Sequence, residues 1–149
     1  MSTLVGTVKI AGDIEFFYGD SGFNGLDPTN YTTVGFIHDM GFNGAVFRKL
    51  FPFGTEHNYR VVSLYRRGVW IHSDNNDHKE YLHLACLQIV RFLVTFIASQ
   101  SIPKYANEQK TGGTILIGWS LVLYSPDALT TEELRDLESY LHTVVYYGN

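Results

Sequence analysis

The stretch TILIGWSL, residues 114–121, decides how this chain is expected to fold. Its first part, Thr114–Ile117, has the β-branched and apolar side chains of a short buried strand. Gly118-Trp119-Ser120 then predicts a sharp turn into a helix. A serine on such a turn is lifted out of the sheet with a strained backbone and an exposed hydroxyl. The first N–H groups of the helix would point at an incoming oxyanion, so Ser120 is a candidate nucleophile.

This motif is incomplete. The pattern Gly-x-Ser-x-Gly requires a second small residue two positions after the serine, where this chain has Val122. A β-branched side chain at that close approach is expected to push the helix outward. On the motif alone, an ordinary serine between a strand and a helix remains an equal interpretation.

The rest of the chain alternates strands and helices around this stretch. An N-terminal hairpin is followed by alternating elements, which predicts an α/β fold: a three-layer, mixed and mostly parallel sheet of about six strands. Residues 1–149 are expected to form one domain. Sites in such sheets lie at the carboxyl ends of the strands, here after Ile37, Tyr65 and Ile117. The other predicted strands are Thr7–Ile10, Glu15–Tyr18, Tyr31–Ile37, Tyr59–Tyr65 and Thr143–Tyr147, and the helices are Ala45–Phe53, Asp77–Gln100 and one opening at Thr130.

Composition limits the classes of protein and partner. The 149 residues are 45% hydrophobic and 17% charged, as in a folded domain, and the formal net charge of −4 argues against nucleic acid or an anionic membrane as partner. Tyr81–Ala98 is interrupted by polar residues that share one helical face, so it predicts a surface helix rather than a membrane span. The N-terminus has no signal-peptide pattern, and a cytoplasmic location is expected. Cys86 is the only cysteine, which excludes an intramolecular disulfide.

Three further segments, in order along the chain, carry a family resemblance. They are FYGDSG at 17–22, HDMGFN at 38–43 and RVVSLYRRG at 60–68. Together with residues 118–121, they resemble the N-terminal core of fungal α/β-hydrolase-fold proteins related to esterases and epoxide hydrolases. The resemblance implies that Ser120 is the nucleophile position and that the N–H groups of Met40 and Leu121 form the oxyanion hole. His38, Asp39 and Trp119 would line this site.

The chain departs from that family at two important points. Asp39 stands where the family usually has glycine, and a carboxylate about 4 Å from an oxyanion would oppose it by roughly 4 kcal/mol at an effective dielectric near 20. One oxyanion-hole donor contributes about 3 kcal/mol, so an inward-pointing Asp39 would outweigh it. The acid and histidine of the family follow the serine on later segments, whereas His142, the only later histidine here, is expected at the opposite end of the sheet. We therefore expect an incomplete α/β-hydrolase fold that ends before these residues.

Two functions remain open. One is a serine-hydrolase-like enzyme, impaired or inactive as the chain stands, that acts on an ester or a similar small apolar substrate. The other is a non-catalytic hydrolase core that binds a partner or self-associates through the edge Thr143–Tyr147. No cofactor or metal is expected. The spacing of His72, His78 and His83 does not suit a shared metal, and Gly112-Gly113 precedes a strand rather than following one.

Overall fold

The structure is a computed structural model of the chain. It describes residues 4–10, 14–23, 25–27, 30–38, 43–65, 78–106, 108–119 and 141–147, with the backbone alone at residues 4, 78–86, 119 and 141–147. The turn of the predicted N-terminal hairpin, at residues 11–13, and the predicted helix from Thr130 lie outside these ranges.

Strands and helices alternate after an N-terminal hairpin, as predicted. The strands are β1 (Leu4–Lys9), β2 (Glu15–Asp20), β3 (Thr32–Ile37), β4 (Tyr59–Tyr65), β5 (Thr114–Trp119) and β6 (Leu141–Tyr147). The helices are a 3₁₀ helix (Gly44–Leu50), α1 (Phe51–Glu56) and α2 (His78–Gln100).

The described strands form a single sheet in the order β1-β2-β4-β3-β5-β6. Antiparallel pairing joins β1 to β2 and β2 to β4, whereas β4, β3, β5 and β6 are parallel neighbours. Because the parallel strands run in the same direction, their carboxyl ends meet at one edge of the sheet. The prediction of a mixed α/β fold with a mostly parallel sheet is confirmed.

Helix α2 packs its apolar side on one face of the sheet. Phe92 and Phe96 of the helix contact Tyr18 of β2, with ring centroids 5.9 and 5.0 Å apart. Arg91 lies on the exposed side of the same helix. Such rings bury large apolar areas, and this cluster is the main core of the described residues. In the described part of the chain, no helix is both long and apolar enough to span a membrane.

The 3₁₀ helix and α1 lie against the other face of the sheet. A helix was predicted over Ala45–Phe53, ending near Gly54. Helical structure covers these residues, but it is divided into a 3₁₀ helix up to Leu50 and α1 from Phe51, and it ends at Glu56. Pro52 lies in the first turn of α1, a position that suits its fixed φ, and the preceding residues form the 3₁₀ helix instead. Gly54 does not end the helix, because it is the point where α1 touches β4: a Cβ there would meet Val61 Cγ2 at 2.2 Å.

Candidate active site

The carboxyl ends of β3 and β5 lie side by side. In the parallel register, Ile37 of β3 pairs with Leu64 of β4 on one side and with Gly118 of β5 on the other. The chain segments that leave β3 and β5 therefore start from adjacent points on one edge of the sheet. In parallel α/β sheets, such adjacent strand ends are the usual position of a site.

Two of the predicted site residues, His38 and Trp119, lie at these two strand ends. His38 follows β3 directly and is buried, with 3% of its surface exposed. Trp119 is the last residue of β5, and only its backbone is described. The other predicted residues, Asp39, Met40, Ser120 and Leu121, lie outside the described residues, as does Val122.

Backbone packing at this edge is close. Gly44 is buried where the chain returns after β3, and a Cβ at this residue would meet the carbonyl oxygen of Leu64 at 2.7 Å. A side chain at Gly44 would push the returning backbone away from the end of β4. Asn43 fixes the start of the 3₁₀ helix, since its side-chain oxygen accepts from the N–H of Ala45 at 2.9 Å.

The polar contact next to this backbone involves Arg48 and Tyr65. The Arg48 Nε donates to the Tyr65 hydroxyl at 3.0 Å, and its guanidinium carbon lies 5.9 Å from the Tyr65 ring centroid. The Tyr65 hydroxyl lies over Gly19 of β2, where an added Cβ would be 3.2 Å away. The hydroxyl therefore lies over the neighbouring antiparallel strand rather than beyond the edge where β3 and β5 end.

His142 lies far from this edge. In the register of β5 and β6, Thr114 pairs with Leu141, and Trp119 pairs with Tyr147. His142 is therefore at the amino end of β6, roughly five residues of about 3.3 Å each from the carboxyl edge. The prediction that His142 lies at the opposite end of the sheet is confirmed at the level of the backbone relative to Gly118 and Trp119, and Ser120 lies outside the described residues. The strand predicted over Thr143–Tyr147 begins two residues earlier, at Leu141, so His142 is the second residue of β6.

A buried ion pair occupies the opposite end of the sheet. Arg60 at the start of β4 contacts Asp20 at the end of β2, with Nε–Oδ1 and Nη2–Oδ2 distances of 3.1 and 2.6 Å. The same Nη2 donates to Gln100 at the end of α2, at 2.8 Å. The guanidinium also lies 4.0 Å from the ring centroid of Phe23. These contacts connect β2, β4, α2 and the loop after β2.

The charges of this pair change the protonation equilibria of its surroundings. Burial alone would lower the pKa of Arg60, but hydrogen bonding to Asp20 and the charge of its carboxylate outweigh this effect and raise the pKa. The pKa of Tyr18 is also raised, first by burial and then by the negative charge of Asp20, while Arg60 partly offsets the increase. Both groups therefore keep their protons at neutral pH.

The sequence alone did not predict the ion pair. Asp20 and Arg60 were each noted as part of a motif, but their contact was not. One signal was present: an acidic residue ends one strand and a basic residue begins another inside apolar runs, and buried opposite charges usually pair. Among the described residues, no three His, Cys, Asp or Glu side chains come together as a metal site requires.

Comparisons with known proteins find similar folds among solved structures. No protein-family model and no curated protein matches this chain. Solved structures do match. An epoxide hydrolase from Vigna radiata is 15% identical, with a TM-score of 0.59 over 97% of this chain. A haloalkane dehalogenase from Paraglaciecola agarilytica NO2 is 17% identical, with a TM-score of 0.58 over 98% of this chain. Epoxide hydrolase A from Mycobacterium thermoresistibile is similar at 11% identity, with a TM-score of 0.58 over 97% of this chain.

These structures are enzymes of the α/β-hydrolase fold, and at such low identity the likeness extends to the fold alone. This chain spans 39% of the length of the two epoxide hydrolases and 44% of the dehalogenase. The described residues therefore have the arrangement of part of an α/β-hydrolase fold. Because epoxide hydrolases and haloalkane dehalogenases are named for different reactions, the fold does not determine a reaction for this chain.

Proposed function

We propose that this chain is the nucleophile-bearing part of a serine-hydrolase-like core. Ser120 would be the nucleophile, and the N–H groups of Met40 and Leu121 would hold the oxyanion. The observation that carries the proposal is the pairing of Ile37 with Gly118, because both candidate segments leave the sheet next to this pair. Met40 follows Ile37 by three residues and Ser120 follows Gly118 by two, so their backbones start within reach of a common substrate atom.

The reaction would be acyl transfer from an ester or a similar small apolar substrate. The Ser120 oxygen would add to the carbonyl carbon, its proton would pass to a base, and the alcohol would leave as the acyl–serine forms. Two backbone N–H donors aimed at the carbonyl oxygen would stabilise the negative charge that develops there. His38, buried beside this point, would support the turn that carries Met40, while Asp39 and Trp119 would line the site.

The base is the part of this machinery to which we assign no residue, because the one histidine that follows Ser120 in the sequence lies in the wrong place. His142 is the second residue of β6, at the end of the sheet opposite the carboxyl ends of the parallel strands. Without a base, a serine hydroxyl is a poor nucleophile. We therefore expect this chain on its own to hydrolyse esters slowly or not at all.

A serine-directed fluorophosphonate tests the proposal. The probe is expected to label the wild-type chain slowly, because the oxyanion hole alone supplies only part of the activation, and Ser120→Ala is expected to abolish the labelling. Ser99→Ala is a matched control, because Ser99 is an exposed serine on α2 whose hydroxyl donates to the Phe96 carbonyl oxygen. Equal labelling of the wild type and Ser120→Ala would refute the proposal.

The second candidate function is a non-catalytic core that binds a partner. The position of His142 favours it, since a histidine at the amino end of β6 cannot act as the base for a serine that follows the carboxyl end of β5. Labelling separates the two functions: a wild-type chain that is folded by circular dichroism yet unlabelled at Ser120 supports the binding function. Labelling that depends on Ser120 supports the hydrolase.

A further inference from the structure

Two buried threonines lie side by side on the neighbouring strands β3 and β5, at the amino ends of these strands. Thr33 and Thr114 are direct partners in the parallel register, and they have 1% and 2% of their surfaces exposed. Neighbouring strands lie about 4.8 Å apart, so the two side chains are close and on the same face. This position is at the opposite edge of the sheet from the candidate active site.

Among the described residues, neither hydroxyl has a hydrogen-bond partner. The Oγ1 atoms of both Thr33 and Thr114 are fully buried and find no donor or acceptor there. Their neighbour Thr32 differs, because its hydroxyl donates to the carbonyl oxygen of Gly112 at 3.1 Å. A buried hydroxyl without a partner costs about 1–3 kcal/mol, so two adjacent ones call for a shared partner.

A small cavity lies where such a partner would fit. The cavity has a volume of about 20 Å³ between the sheet and α2, and both threonines line it together with apolar side chains such as Phe92, Leu93 and Ile97. A site needs at least about 10–15 Å³ to hold one water molecule, and the water needs two or more polar partners. The volume of about 20 Å³ suits one water molecule.

We propose that this cavity is an internal hydration site in which one long-lived water molecule bridges the hydroxyls of Thr33 and Thr114. The water would donate a hydrogen bond to one hydroxyl oxygen and accept one from the other. It would thereby satisfy both buried groups and fill the space between β3, β5 and α2. The remaining lining is apolar and includes the buried Ile102 from the loop after α2, so the water would exchange slowly with solvent.

Water magnetic relaxation dispersion, which counts long-lived internal water molecules, tests this proposal directly. The double variant Thr33→Val/Thr114→Val keeps the side-chain shape but removes both hydroxyls, and it is expected to contain one long-lived water fewer than the wild type. Thr32→Val is the matched control and is expected to leave the count unchanged. Equal counts in the wild type and the double variant would overturn the proposal.

Urea unfolding is an independent measurement on the same variants. With a bridging water, each single change leaves the water with one partner fewer, so Thr33→Val and Thr114→Val should each lower the urea midpoint. The double variant should lower it by less than the sum of the two. If the cavity is dry, each single change removes an unpaired hydroxyl and raises the midpoint, and the effects add; this result would also overturn the proposal.

Discussion

Asp20 and Arg60 form a buried ion pair in which both carboxylate oxygens accept from the guanidinium. Arg60 is 1% exposed. The carboxylate also accepts from the N–H of Gly22 at 2.9 Å, which fixes the turn after β2. This one contact therefore holds two antiparallel neighbours and the loop between β2 and β3 in place, at the edge opposite the candidate site.

Removing either partner of this pair should strongly destabilise the protein. Asp20→Asn or Arg60→Met leaves the remaining partner charged in a buried position, which costs about 3–5 kcal/mol. The free energy of unfolding from urea titration measures this loss. Lys49→Met, at an exposed basic residue, is the control and should change stability by less than about 0.5 kcal/mol. A loss for Arg60→Met no larger than that of the control would contradict the prediction.

The raised pKa of Tyr18 predicts a loss of stability at alkaline pH. In the unfolded chain, tyrosine loses its proton near pH 10, whereas the folded state retains it to higher pH. The folded state then binds more protons than the unfolded state, so the free energy of unfolding falls as the pH rises through this range.

Tyr18→Phe removes this contribution. Urea titrations at about pH 9 and about pH 11, on either side of the ordinary tyrosine pKa, should show a smaller alkaline loss in Tyr18→Phe than in the wild type. Tyr59→Phe, at a more exposed tyrosine on β4, should keep the wild-type loss. An alkaline loss that is identical in the wild type and Tyr18→Phe would count against the raised pKa.

Gly54→Ala should destabilise the protein because α1 sits directly on β4. An added methyl would lie 2.2 Å from Val61 Cγ2, and overpacking of this kind costs about 1–3 kcal/mol. Combining it with Val61→Ala removes the nearest clashing atom, so the double variant should lose less stability than the sum of the single changes. Additive losses in urea unfolding would show that Val61 is not the obstacle.

Much of the sheet could be predicted from the sequence because its strands are apolar runs between turn residues. Tyr59–Tyr65 was predicted with the bounds that β4 has, since a run of β-branched and aromatic residues defines both ends. The ends of β5 and β6 were harder to predict. Thr114–Ile117 was expected to stop before Gly118, but ladder hydrogen bonds with β3 and β6 continue the strand to Trp119. The end of β5 therefore depends on the neighbouring strands β3 and β6, and the sequence of residues 114–119 alone does not reveal it.

The helix before β4 and the Asp20–Arg60 pair could not be read from local pattern for the same reason. In the sequence Gly54 resembles a residue that ends a helix, but in the structure its lack of a side chain allows α1 to pack closely against Val61. Asp20 and Arg60 are forty residues apart, and only the antiparallel register of β2 and β4 brings them together. At the candidate site, the sequence predicted the strand ends that meet, and His38 and the backbone of Trp119 lie there. The roles of Ser120, Met40 and Leu121 stay predictions.

Asp39→Asn should increase labelling of Ser120 by a fluorophosphonate. A carboxylate about 4 Å from the developing oxyanion would oppose it by roughly 4 kcal/mol, so removing an inward-pointing charge should raise the labelling rate at least about tenfold, whereas a carboxylate that points to solvent would change little. Glu56→Gln is the control, because Glu56 is exposed at the end of α1 and should leave the rate unchanged. An unchanged rate in Asp39→Asn would place the carboxylate away from the site.

The outer edge of β6 should support self-association of this chain. Within the described residues, β6 is the last strand in the sheet order and pairs only with β5, so one row of its backbone groups faces no strand. Edges of this kind pair with other chains, and a charged residue on the edge opposes such pairing. We propose that the Thr143–Tyr147 edge joins two copies, so size-exclusion elution should shift to larger species as the concentration rises. Thr143→Lys should restore the monomer, whereas Thr7→Lys on β1, at the other edge of the sheet, should not. A wild-type chain that elutes as a monomer at every concentration would exclude this pairing.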